Sequence, residues 1–169
     1  MIPLTERDIR ACFVNATRRE TQQATLPDLD SLDWENLDYL GWCDRKAPLS
    51  SYAIVELDGA ATGILLRAAR PSSSTLRRKG VCAWCEDIVE TNDVSLYAAR
   101  RAGAAGRRGD TIGTLICTDF RCSRNVRRTP TRAEAGSDVE TVREEIVARR
   151  VAGLRERSAR FVEEVLRTR

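Results

Sequence analysis

Hydrophobic residues recur with a helical period near the start of the chain. Thr5 is a favourable N-cap residue, and the apolar side chains that follow it have an i, i+3, i+4, i+7 spacing: Ile9, Cys12, Phe13 and Ala16. This spacing predicts a helix with one buried face. We expect that helix to end at residues 18–19.

A second, longer helix is predicted near the other end of the chain. The residues Ser137-Asp138-Val139-Glu140 have the pattern of a capping box. Apolar or small residues then alternate by four and three positions: Val147, Val151, Leu154, Ser158, Phe161 and Val165. This stripe either packs on the core or forms a seam for a partner helix.

Two β-hairpins are predicted between these helices. Residues 52–57 and 62–68 flank Asp58-Gly59, a favoured two-residue hairpin turn. Residues 94–99 and 111–116 form the second pair, with a turn rich in glycine and arginine at 103–109. Apolar anchors between Trp34 and Trp42 show no clear period and predict an irregular or short helical segment. The pattern predicts an α+β fold with small antiparallel sheets and flanking helices.

The composition allows a folded core and argues against a membrane protein. Of the 169 residues, 42% are hydrophobic, and no apolar run approaches the roughly 20 residues that span a bilayer. The first residues lack the apolar stretch of a secretion signal. We therefore expect a cytoplasmic protein without a membrane partner.

Positive charge is concentrated in one segment. The formal net charge is only +3, but residues 97–132 contain nine arginines against Asp110 and Asp119, a local net charge of +7. Such a segment favours acidic partners, either nucleic acid or protein. Alternatively, its arginines offset the negative charge of a four-thiolate metal site.

Four of the six cysteines have the spacing of a metal site. Cys82 and Cys85 form a C-x2-C pair, and Cys117 and Cys122 follow as a C-x4-C pair after a 31-residue gap. Four thiolates bind Zn²⁺ as a closed tetrahedron with no position for substrate, so the metal would be structural. The alternatives are an iron–sulfur cluster, disulfides or inert thiols.

The order of elements around these cysteines is that of a treble-clef zinc finger. Cys82-Ala83-Trp84-Cys85 would form the knuckle, and the second hairpin would lead to Cys117 at a strand end. Thr118 or Asp119 would then cap a helix that carries Cys122 in its first turns. A helix N-terminus favours thiolate over thiol, which suits a metal ligand.

We expect one domain over residues 1–169, made of three parts. Residues 1–80 contain the first helix and hairpin and end in a polar, basic linker at 70–80. The treble-clef zinc finger occupies residues 81–130, and the C-terminal helix lies within 131–169.

Several short stretches together resemble a known family. In chain order they are Pro3-Leu4-Thr5-Glu6-Arg7-Asp8-Ile9-Arg10, Asp38-Tyr39-Leu40-Gly41-Trp42, Cys82-Ala83-Trp84-Cys85, Arg100-Arg101-Ala102-Gly103, Gly113-Thr114-Leu115-Ile116-Cys117 and Cys122. They resemble the zinc-finger domain of elongation factor G-binding proteins, the FBP domain, whose best-known members are the FusB-type fusidic acid resistance proteins. The resemblance spans about residues 3–165, and the cysteine spacing is its most specific part.

The resemblance implies a binding function without catalysis. Family members bind elongation factor G through the treble clef and help to free it from the ribosome when fusidic acid holds it there. In the resistance proteins, a contact residue just before the second metal ligand corresponds to Trp84, and a basic contact nine positions before the third ligand corresponds to Arg108. Thr111 stands where a further aromatic contact is found, which is a departure from the pattern.

These correspondences give a candidate partner surface. We expect Trp84 at the exposed tip of the knuckle, or alternatively packed over the metal site. The basic residues expected around it are Arg107, Arg108, Arg121 and Arg124.

An enzyme is not expected, and neither is a small-molecule substrate. The chain has no histidine, so Ser-His-Asp and Cys-His arrangements are impossible, and it has no GxxxxGKS phosphate loop. The alternative to a factor-binding protein is a zinc-finger module for the ribosome or RNA, because arginines neutralise phosphates. The low aromatic content of 5% leaves few platforms on which bases can stack.

Overall fold

A five-stranded antiparallel sheet forms the centre of the fold. The computed structural model describes residues 1–69, 80–87 and 94–167, and its strands follow chain order across the sheet. They are β1 Leu40–Cys43, β2 Ser50–Leu57, β3 Ala60–Ala68, β4 Val94–Arg100 and β5 Thr111–Cys117. The two predicted hairpins share this one sheet because β3 pairs with β4, with Leu66 opposite Ala99. The predicted α+β class is confirmed.

The first hairpin forms as predicted, and one strand beside it was not predicted. Asp58 and Gly59 have φ values of 50° and 77°, as a tight two-residue turn between antiparallel strands requires. The segment from Trp34 to Trp42 was predicted to be irregular or short helical; it begins with a 3-10 helix at Trp34–Asn36 and ends in strand β1. Its residues Leu40 and Trp42 alternate inward and pair with β2, but four residues are too few to show a strand period clearly.

The N-terminal helix is shorter than predicted. Helix α1 spans Glu6–Ala11 behind a capping box on Thr5, and a separate helix, α2, spans Arg18–Gln23 behind a second box on Thr17. Between them, the Asn15 side chain accepts a hydrogen bond from the Leu65 amide at 2.7 Å and donates to the Arg100 carbonyl at 2.9 Å. The backbone of residues 12–14 also pairs with Gly63 of β3, with bonds of 3.0 and 2.9 Å, and this pairing with the sheet ends the first helix early.

Four further α-helices are α3 Gly103–Arg107, α4 Cys122–Val126, α5 Arg132–Ala135 and α6 Glu140–Leu166, and two 3-10 helices, Leu29–Ser31 and Trp34–Asn36, precede β1. The long helix is confirmed, but its N-cap is Val139 and no side chain caps it. The predicted capping box at Ser137 is therefore wrong, and Thr131 forms one on α5 instead. Helix α3 replaces part of the turn predicted at 103–109.

The sheet is covered on both faces. Helix α6 packs on one face through Leu154, Val162 and Val165, which are fully buried, so its apolar stripe serves the core. The N-terminal segment covers β1–β3 on the other face, where Ile9 packs with Trp42. Within the described residues, no helix is long and apolar enough to cross a membrane. The predicted linker at 70–80 lies outside the described residues except for Gly80.

Candidate metal centre and its surroundings

The four predicted ligands come together at one buried site. The Sγ atoms of Cys82, Cys85, Cys117 and Cys122 all lie within 4.8 Å of one another. The Cys82 and Cys122 sulfurs are 3.6 Å apart, and those of Cys85 and Cys117 are 3.7 Å apart. These distances exclude disulfides in this arrangement, because a disulfide bond is about 2.05 Å long.

The sulfur spacing fits a tetrahedral zinc. With Zn–S bonds of about 2.3 Å, a regular tetrahedron has edges of about 3.8 Å, close to the two measured distances. All four cysteines are buried, and four protein ligands leave no coordination position for a substrate. The predicted structural zinc is therefore confirmed, and the metal's role is to join two distant stretches of chain.

The first ligand pair lies in a tight knuckle at the edge of β5. The Cys85 amide donates to the Cys82 sulfur at 3.4 Å, and the Glu86 amide donates to the Cys82 carbonyl at 2.9 Å. The Ala83 amide donates to the Leu115 carbonyl at 2.7 Å, which anchors the knuckle to β5. The local backbone thus presents both sulfurs to one point.

The second pair is placed by a sharp turn between β5 and α4. Cys117 ends the strand, and Phe120 takes a left-handed conformation with φ of 60° before Cys122 begins the helix. Gly41 makes room for this turn, since a Cβ there would lie 2.5 Å from the Phe120 ring. The predicted cap by Thr118 or Asp119 is wrong: the N-cap is Arg121, without a side-chain hydrogen bond.

The thiols require a cation for full ionisation. Hydrogen bonding with Cys117 lowers the pKa of the Cys82 thiol. In contrast, hydrogen bonding with Cys117 and the other two thiols raises the pKa of the Cys122 thiol, and burial raises it further. Four like charges this close are stable only around a cation, and a metal deprotonates its thiol ligands outright. The Asn125 amide group also donates to the Cys117 sulfur at 3.4 Å.

Trp84 packs in the core beside the metal site. Its side chain is only 1% exposed, and its ring meets Tyr39 edge-on at 4.9 Å and Phe161 of α6 at 6.0 Å. The expectation that Trp84 lies exposed at the knuckle tip is wrong, and the alternative of packing over the metal site is what the structure shows. The long helix covers this ring, and its position could not be inferred from local sequence.

A buried carboxylate ties three elements together behind the ligand helix. Asp38 precedes β1, and its side chain is fully buried. Its Oδ1 accepts hydrogen bonds from Arg127 at 3.1 Å and from Arg155 of α6 at 2.9 Å. Its backbone amide donates to the Ser123 hydroxyl of α4 at 3.0 Å. This network has no local signature in the sequence, because its members are up to 117 residues apart.

Helix α6 also holds the knuckle from outside. Arg157 donates through Nε to the Trp84 carbonyl at 2.7 Å and forms an ion pair with Glu86 at 3.0 Å. Arg128, which follows α4, pairs with Asp87 after the knuckle at 3.4 Å and with Glu134 of α5 at 2.8 Å. These contacts fix the knuckle against both α4 and α6.

Most of the basic segment is engaged in ion pairs. Of the nine arginines in residues 97–132, seven lie within 4.0 Å of an acidic side chain: Arg100, Arg101, Arg108, Arg121, Arg127, Arg128 and Arg132. Arg107 and Arg124 form no ion pair within residues 1–69, 80–87 and 94–167. The local charge of +7 therefore overstates the positive charge that this surface offers to a partner.

The four candidate arginines do not surround one point. Arg107 and Arg108 precede β5 at the hairpin end, whereas Arg121 and Arg124 follow β5 beside the metal site. Strand β5 has seven residues, which corresponds to about 20 Å. The structure thus divides these residues into two pairs at opposite ends of one strand.

An exposed pair of leucines on the same hairpin was not singled out from the sequence. Leu96 of β4 and Leu115 of β5 are direct cross-strand partners and remain 50% and 42% exposed. The available signal was the alternation along β4, which places Tyr97 in the core and its neighbours on the opposite face.

Comparison with protein families gives one match, and it covers nearly the whole chain. Residues 8–165 match the family described as FBP C-terminal treble-clef zinc-finger. Comparison with curated proteins and with solved structures gives no match.

Proposed function

The chain belongs to the FBP C-terminal treble-clef zinc-finger family, and we propose that it binds translation elongation factor G. The family is one of binding proteins, and the metal centre has no open position for chemistry. The observation that carries the proposal is the family match over residues 8–165 together with the four-sulfur site. We further propose that binding releases the factor from the ribosome, as in fusidic acid resistance. The protein would act in the cytoplasm.

The contact surface that we propose is the outer face of the β4–β5 hairpin with its two basic ends. Leu96 and Leu115 supply exposed apolar area at its centre, and the arginine pairs 107–108 and 121–124 supply its rim. Stable interfaces combine an apolar core with a polar rim and bury about 800 Å² on each partner. A surface about 20 Å long fits that size.

Trp84 has a supporting role in this proposal. It is buried beside the ligands, so it shapes the knuckle and does not contact the factor unless the core opens. Thr111 stands where an aromatic contact is expected and offers little area. The exposed leucines are the stronger candidates for anchors on this chain.

Calorimetric titration with purified elongation factor G tests the proposal. We expect the zinc-loaded chain to bind with a Kd at or below about 1 μM, equivalent to about −8 kcal/mol. Changing both Leu96 and Leu115 to Ser should weaken binding at least tenfold without loss of zinc. If the unaltered chain shows no heat of binding and no complex by gel filtration, the proposal is wrong.

The RNA-binding alternative has less support. Within the described residues, only Arg107 and Arg124 of the basic segment 97–132 have no acidic partner. No exposed aromatic side chain lies beside them in that part of the chain. Titration of ribosomal RNA fragments at two salt concentrations separates the alternatives. Binding that is tight at low salt and falls steeply with added salt would favour RNA.

A further inference from the structure

A groove of about 640 Å³ separates α4 from the turn at residues 33–37. Its two walls are tied by buried contacts. The Asp38 amide donates to Ser123 at 3.0 Å, and the Tyr39 hydroxyl donates to the Phe120 carbonyl at 3.1 Å. The groove is therefore formed before any ligand enters, which lowers the cost of ordering on binding.

The charges that line the groove favour an anionic group. Four arginines, at positions 121, 124, 127 and 128, line the groove together with one carboxylate, Asp33. Three of them are already paired with acids that do not line it: Arg121 with Asp119, Arg127 with Asp38, and Arg128 with Asp87 and Glu134. Asp33 is held to its own turn by a hydrogen bond from Asn36 at 2.8 Å. Among the four arginines, Arg124 alone forms no ion pair within the described residues, so its guanidinium is available to a ligand.

The remaining lining favours a carboxylate on a protein over a nucleic acid. Leu37 and the arginine stems provide apolar surface for the methylene groups of an acidic side chain. No aromatic side chain lines the groove, so an unpaired base would find no stacking platform. An arginine pairs with a carboxylate through two parallel hydrogen bonds, which gives a defined geometry.

We propose that this groove docks an acidic segment of the partner protein, with an Asp or Glu side chain paired to Arg124. This proposal rests on the proposed function and assigns a chemistry to one end of its surface. The groove also depends on the metal, because Asn125 lines it and donates to the Cys117 sulfur at 3.4 Å. Zinc therefore holds the wall from which Arg124 projects.

The test uses the full zinc-loaded chain and two charge reversals. Arg124→Glu places a negative charge in the groove, and Arg149→Glu is the matched control, since Arg149 is exposed on α6 and forms no ion pair within the described residues. Against purified elongation factor G, we expect Arg124→Glu to weaken binding at least tenfold and the control to change it less than twofold. Equal affinities for the two variants would overturn the groove proposal while leaving the proposed function intact.

A second measurement keeps the groove testable if the factor does not bind at all, a result that overturns the proposed function. The unaltered chain is titrated with a hexaglutamate peptide and, separately, with a short oligouridylate, while the backbone amide signals of Asn125 and Thr129, which line the groove, are followed by NMR. Shifts with the peptide that are lost in Arg124→Glu support the docking site. A shift with the oligonucleotide alone, or with neither probe, overturns it.

Discussion

Replacing Asp38 by Asn tests whether the buried carboxylate organises the ligand helix. The change keeps the size of the side chain and removes its charge. The carboxylate is fully buried, whereas its partners Arg127 and Arg155 are 24% and 58% exposed. Within the described residues, Asp38 is the only carboxylate paired with either arginine, so both guanidinium groups would lose their partner.

The expected cost follows from this burial. Removing one member of a buried ion pair costs about 3–5 kcal/mol. Because both arginines keep access to water, we expect the lower end, about 3 kcal/mol. For a chain of this size, that corresponds to a fall in Tm of about 6–12 °C.

Thermal unfolding in zinc-containing buffer, followed by circular dichroism, measures this fall. Asp110→Asn is the matched control, because Asp110 and its partner Arg108 are 51% and 61% exposed, and exposed pairs contribute about 0–1 kcal/mol. Equal Tm values for the two variants, at equal zinc content, would refute the reasoning that this carboxylate stabilises the fold.

Three further outcomes follow from the packing and burial of individual side chains. Trp84→Phe should lower the free energy of unfolding by about 1–2 kcal/mol, less than the 3–5 kcal/mol expected for Trp84→Ala, because the buried indole N–H has no hydrogen-bond partner to lose. Urea unfolding measures both changes, and equal losses would count against this packing. Gly41→Ala should lower the free energy of unfolding by about 1–3 kcal/mol, because the added Cβ would lie 2.5 Å from the Phe120 ring. An unchanged urea midpoint would contradict that contact. In the zinc-loaded chain at pH 8, Cys43 is exposed and should react rapidly with Ellman's reagent. Cys12 should react slowly, since burial raises its pKa to about 11 and leaves about one thiol in a thousand ionised; similar rates for the two would argue against this burial.

The metal ligands could be predicted from the sequence because each pair is local. A C-x2-C knuckle and a strand end followed by a helix bring sulfurs to one point through short stretches of backbone. The hairpin at Asp58-Gly59 was predictable for the same reason, since a two-residue turn carries its own signal. In these elements, neighbouring residues decide the conformation.

The features that sequence reasoning missed depend on distant residues. The first helix ends early because the backbone of residues 12–14 pairs with Gly63 of β3, and Asn15 then bonds to strands 50 and 85 residues away. Trp84 is buried because Tyr39 and Phe161 close over it. The charge of the basic segment is reduced by acids outside it, such as Glu20 beside Arg100. None of these contacts has a local signature.

The affinity of elongation factor G for the chain with zinc, without zinc and with zinc restored tests the central claim most directly. We predict that calorimetry shows binding by the zinc-loaded chain, loss of both binding and native circular dichroism after chelation, and recovery of both when zinc returns. A chelated chain that stays folded and binds equally well would contradict the account, and so would a zinc-loaded chain that does not bind.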